Sequence, residues 1–118
     1  MKDFFIENTY PVLFLVGFIF IVTGLILKFF PPKKINSLYG YRMPSAMQNQ
    51  ATWDFAQIYA ANRMVLAGVK CLALGFLKWF TGSTNEIIIS VALVILLVVI
   101  MIYEVEKAIK QKFPKHVN

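Results

Sequence analysis

What this chain has little of is charge. Only 15% of its 118 residues are Asp, Glu, Lys or Arg, against 58% hydrophobic, and the mean hydropathy is +0.65. A water-soluble domain carries about a quarter charged residues, so too few polar side chains are present to cover a soluble surface. The single cysteine, Cys71, removes disulfide frameworks and cysteine metal clusters. One histidine, His116, and six acidic residues supply neither paired catalytic carboxylates nor a metal-ligand set, so no metal or cofactor is expected. Disorder is excluded by 11 Phe, 5 Tyr and 2 Trp, together with long aliphatic runs.

What is present is apolar sequence in three blocks. Residues 10–30 hold one charge, Lys28, and their 21 residues make about 30 Å of helix, the thickness of a hydrocarbon core. This block reads as a spanning helix rather than a signal peptide. Asp3 and Glu7 cancel a basic leader, and Lys28-Phe29-Phe30-Pro31-Pro32 offers no small-residue cleavage site. Residues 64–80 are interrupted by Lys70 and Lys78, whereas residues 87–103 carry no charge and are apolar on every face, which a soluble bundle would not allow. The expected fold is therefore an all-α membrane protein: one domain over residues 1–118, three transmembrane helices, a loop at residues 31–63, a tail at residues 104–118, and an interfacial amphipathic segment leading into the second helix. Nine of the 12 Lys and Arg lie in or beside that loop and tail, and two, Lys2 and Lys78, lie toward the other side. Positive residues stay cytoplasmic, so the expected topology is multi-pass in the plasma membrane, with the N-terminus outside and the C-terminus inside. The positive charge is then assigned to topology and anionic membrane lipids, and no nucleic-acid partner is expected.

The loop carries most of the remaining information. Pro31 and Pro32 end the first helix. Asn36, Ser37 and Gly40 read as turns, and Ser45 with Gln48 three residues on reads as a capping box opening one long helix into the second span. On that helix, steps of four and three residues join Asn49, Trp53, Ala56, Ala60, Arg63, Ala67 and Lys70 into one face, part polar surface and part packing seam. Lys70 has two readings: it snorkels to the interface, or it lines a polar cavity with Arg63. A second stripe, Ala61, Gly68 and Gly75, repeats every seven residues, as do Gly17 and Gly24 in the first span. Small residues at that interval predict close packing of the first two spans. Tyr39, Tyr41, Trp53, Phe55 and Tyr59 are expected at the headgroup level. In the tail, Glu106 and Lys110 read as a solvated i,i+4 pair, with Phe113-Pro114 ending the helix.

Gly40-x-Arg42, then Asn49 seven residues after the arginine and Trp53 four after that, resembles the signature of the SdpI/YfhL family of small bacterial membrane proteins. The family often has Thr directly after the Arg and a hydroxyl four after it, where this chain has Met43 and Ala46. The resemblance implies an immunity protein that protects the cell from a membrane-active toxin peptide. It also implies a candidate site for the toxin, or a lipid the toxin needs, at Gly40, Arg42, Asn49 and Trp53, and a transcriptional repressor as a further partner in toxin sensing. Read physically, the same residues also suit a structural role: a turn at Gly40, carbonyl or phosphate contacts by Arg42, bridging by Asn49 and interfacial anchoring by Trp53.

The alternative function is a small homo-oligomeric transporter or channel, with Arg63 and Lys70 on an anion-attracting path. An enzyme is the weakest reading. Asp54 is the acid of the loop, and Ser45 and Lys70, read as one helix, would lie roughly 37 Å apart.

Overall fold

The computed structural model describes residues 10–76 and 86–114, which form an elongated body of 51 × 27 × 19 Å. Three helices make it up: α1 (Pro11–Phe29), α2 (Gln50–Leu74) and α3 (Glu86–Lys112). The stretch expected to hold the second span, residues 64–80, extends beyond the described residues at its far end, as does the loop that follows it.

Helix α1 starts where the fixed φ of Pro11 suits a first helical position, and it stops before Pro31 and Pro32. Its buried residues are Leu13, Gly17, Gly24 and Leu27, a narrow stripe on one side. Much of the rest of its surface, including Leu15, Phe18, Ile19 and Leu25, is exposed. That stripe lies against α2, antiparallel to it, and the backbone N–H of Tyr10 donates to Gly75 O at 2.7 Å where the two ends meet.

The glycines set how closely the two helices approach. A Cβ added at Gly68 would stand 2.6 Å from Ile21 Cγ1 and 2.7 Å from Gly17 O. One added at Gly24 would stand 3.0 Å from Ala61 O. The seven-residue stripes on α1 and α2 therefore face each other as expected, with backbone against backbone.

Helix α2 does not begin where the capping pattern placed it. Residues 44–47 form tight turns, with Ala46 N–H donating to Met43 O at 2.9 Å, and the helix starts at Gln50. Asn49 is its cap: Asn49 Oδ1 accepts from Thr52 N–H at 3.0 Å, and Asn49 N–H donates to Thr52 Oγ1 at 3.1 Å. Ser45 is diverted from capping because its hydroxyl donates to Glu106 Oε2 on α3. Two residues three apart can close the box as well as Ser45 and Gln48 could, and the tertiary contact decides between them.

Helix α3 packs mainly on α2 and only lightly on α1. Two apolar clusters hold it. Leu97 joins Tyr10, Leu13 and Cys71 toward one end, and Val105 and Ile109 join Ala46, Ala56 and Ala60 toward the other. The second cluster corrects the expectation of a solvated tail. Val105 and Ile109 are fully buried, and Glu106 is half-buried and accepts from Ser45 rather than standing free beside Lys110. Phe113 N–H still bonds Ile109 O at 2.8 Å as the helix closes before Pro114.

Candidate functional site

Residues 30–49 contain no helix. They fold back onto the bundle, and side chains of α2 hold them there through the loop's own backbone. The Gln57 amide, buried on α2, makes both halves of a clamp: its Nε2–H donates to Tyr41 O at 2.9 Å, and its Oε1 accepts from Tyr41 N–H at 2.7 Å. Trp53 Nε1–H donates to Pro32 O at 2.7 Å, and Gln50 Nε2–H to Lys33 O at 2.6 Å. From the loop side, the Tyr39 hydroxyl donates to Phe30 O at 2.8 Å, at the open end of α1. Asn36 Oδ1 accepts from the N–H groups of Leu38 and Tyr39, which makes the turn.

Gly40 is where this arrangement needs glycine. Its φ is +108°, and an added Cβ would sit 2.5 Å from Gln57 Oε1 and 2.8 Å from Pro32 Cγ. A side chain there would be strained in backbone and would also push the clamp open.

The four signature residues thus have distinct positions. Gly40 passes under the clamp, Asn49 caps α2, and Trp53 is fully buried rather than anchored at a lipid interface. Arg42 is exposed, with Nη1 donating to Ser37 O. Gly40 and Arg42 share a cavity; Asn49 and Trp53 serve the scaffold behind it. That cavity, of about 470 Å³, opens between α1 and α3 beneath the loop. Thr23 and Leu27 form one wall, Met101 and Ile102 the other, Ala60 and Met64 the floor, and residues 39–43 the rim. Arg42 is its one charged lining residue among those described.

The polar face expected along α2 is divided. Trp53, Ala56, Ala60 and Ala67 are buried as a seam. Arg63 is half-exposed; its Nη1 pairs with Glu104 Oε2 at 3.0 Å, and its Nη2 donates to the Tyr59 hydroxyl at 3.0 Å. Lys70 is exposed on α2. The aromatics expected at the headgroup level are sorted as well: Phe55 stacks on Tyr59 and meets Phe113 edge-on, with Lys112 Nζ 4.9 Å from the Phe55 ring.

From sequence alone, Gln57 has no assigned role and Glu106 has a different one, the pair with Lys110. Gln57 lies four residues after Trp53 and three before Ala60, so a buried stripe through those positions contains one amide, and that amide was the available signal. The Tyr41 hydroxyl is buried with no hydrogen bond of ordinary geometry. Burial, followed by the nearby Glu106 carboxylate, pushes the Tyr41 phenol well above its usual range.

Helices α1 and α3 are long and apolar enough to cross a bilayer, and their exposed sides carry rows of large aliphatic and aromatic residues. That surface, with the family assignment that follows, points to a membrane protein. The chain belongs to the SdpI/YfhL protein family, whose model matches residues 33–104. It is 37% identical over 94 residues to Uncharacterized protein YfhL of Bacillus subtilis (strain 168), covering 80% of this chain and 82% of that one. No solved structure gives a significant match. The matched region takes in the clamped loop from Lys33 onward, all of α2 and α3 as far as Glu104, so it includes the cavity apart from the α1 wall.

Proposed function

We propose that this protein is a membrane immunity protein that protects the cell from a membrane-active toxin peptide. The family assignment supports a membrane protein of this type. In this reading α2 supplies a third span, the chain is multi-pass in the bacterial plasma membrane, and the loop and tail face the cytoplasm, as the distribution of Lys and Arg favours. A toxin-sensing role through a repressor would use the same loop surface.

One observation carries the proposal. The Gly40–Arg42 segment is built onto the bundle by a buried clamp, yet leaves the Arg42 guanidinium exposed at the rim of an apolar cavity. An arginine placed this way presents a planar, multi-donor group where membrane and protein meet. The transporter reading gains nothing comparable, because Arg63 is paired with Glu104 and Lys70 is exposed.

The experiment is survival of a toxin-sensitive bacterium expressing the wild type, Arg42→Ala or Arg42→Lys, with membrane abundance measured in the same cultures. Arg42→Ala is expected at normal abundance with protection lost, and Arg42→Lys with protection reduced. Full protection by Arg42→Ala would remove Arg42 from the site, and a wild type that protects against no such peptide would overturn the immunity reading. Trp53 is unsuited to this test, since its burial makes any large truncation there a change of fold.

A further inference from the structure

The cavity between α1 and α3 has a definite chemical character. Its floor and both walls are apolar apart from the Thr23 hydroxyl, it lies where α1 and α3 touch only lightly, and its single charge among the described residues is Arg42 on the loop rim. Three of the chain's five methionines, Met43, Met64 and Met101, line it. Methionine is unbranched and polarizable, and surfaces rich in it adapt to flexible apolar ligands. Apolar depth with a cation at one edge complements an amphiphile whose anionic head and hydrocarbon tail are joined end to end.

We propose that this cavity seats one acyl chain of an anionic phospholipid, with the lipid phosphate at Arg42. The proposal deepens the functional reading above by naming the ligand of the same site, and it rests on that reading only for its biological purpose. Size favours a chain over a peptide: a helix about 10 Å across would fill some 420 Å³ with a single turn. The cavity, at about 470 Å³, would therefore hold little more than one turn. Arg42 has the donors for the head. Nη1 is engaged by Ser37 O, and a guanidinium has five N–H donors in all, so a phosphate can still be met by a charge-assisted pair. The clamp explains why the rim is rigid. With Tyr41 held on both its N–H and its C=O by Gln57, the backbone that carries Arg42 is fixed at the cavity, and the bond from Nη1 to Ser37 O ties the guanidinium to the same loop.

The test is lipid retention by the full-length protein. Protein reconstituted in nanodiscs of equal parts phosphatidylglycerol and phosphatidylcholine is released into mild detergent, and the lipid that stays bound is counted by native mass spectrometry. The wild type is expected to keep one phosphatidylglycerol with a preference of about tenfold, because the phosphate of phosphatidylcholine stands beside its own choline cation, which offsets its attraction to Arg42. Arg42→Gln should erase the preference, while Arg42→Lys, which keeps the charge, should restore most of it. Thr23→Trp fills the cavity from the exposed side of α1, away from the clamp, and should cut retention of both lipids severalfold. Equal retention of the two lipids by the wild type, or retention unaffected by Thr23→Trp, overturns the proposal. The survival assay is independent of it: protection that needs Arg42 with no lipid retained would leave the immunity reading standing and assign the cavity to a peptide.

Discussion

The two ends of the bundle are held together by different physics. Toward Gly75 and Tyr10, α1 and α2 meet at Gly17 and Gly68, backbone on backbone, with Phe14 edge-on to Phe76 at 5.0 Å. Toward the loop, buried amide, indole and hydroxyl groups reach main-chain groups of a segment that has no regular structure of its own. The first is van der Waals contact that depends on the absence of side chains; the second is hydrogen bonding that depends on particular ones. With α2 as a span, as proposed above, a bilayer would account for the contrast. Lipid tails are as apolar as leucine, so helices within them gain from close approach, whereas irregular backbone near the membrane must find its hydrogen bonds inside the protein.

The comparison breaks most severely at Gly68. Gly68→Leu places a branched side chain against Gly17 O and Ile21, and should cost about 3 kcal/mol by overpacking. Thermal unfolding in detergent should show it, with α1 no longer protected from exchange. Gln57→Ala should cost less, about 2 kcal/mol, because it strands the buried Tyr41 N–H and C=O. Its signature should be local: rapid proteolysis within residues 33–43 while the α1–α2 pair stays intact. If Gln57→Ala instead separates the helices, the two ends are one cooperative unit and the comparison fails.

The smallest effect is expected at Tyr41. Its phenol is raised in the folded protein, so the stability tied to its neutral form is complete below the ordinary tyrosine value of about 10 and is lost as pH rises above it. Tyr41→Phe should change stability at pH 7 by less than about 1 kcal/mol, since the hydroxyl makes no well-formed hydrogen bond. It should also make unfolding less sensitive to pH between 9 and 12 than in the wild type. Equal alkaline sensitivity in both proteins would show that the Tyr41 phenol is not held neutral by burial in the folded protein.

Which parts of this fold could be read in advance follows from the range of the interactions. The glycine seam was legible because seven-residue spacing on each helix is a local pattern, and two helices each with one small-residue stripe have an obvious way to pack. The start of α2 was misplaced because two capping boxes, Ser45 with Gln48 and Asn49 with Thr52, stand four residues apart. Only the Ser45–Glu106 contact, across 61 positions of sequence, removes the first. Trp53 was placed at an interface for a similar reason: an indole N–H must find an acceptor, and water, lipid or Pro32 O would each satisfy it.

By itself, the sequence determined that the chain is helical, that α1 and α3 are apolar enough for a bilayer, where α1 stops, and that Gly40, Arg42, Asn49 and Trp53 belong to a family pattern. These follow from composition, periodicity and proline, which act within a few residues. The tertiary structure decided that Trp53 and Gln57 are clamps, that Glu106 accepts from Ser45, and that Gly40 and Arg42 rim a cavity while Asn49 and Trp53 do not. Those outcomes depend on which carbonyls and carboxylates a folded chain brings within about 3 Å, and hydrogen bonding at that range selects partners by position in space and not by distance along the sequence.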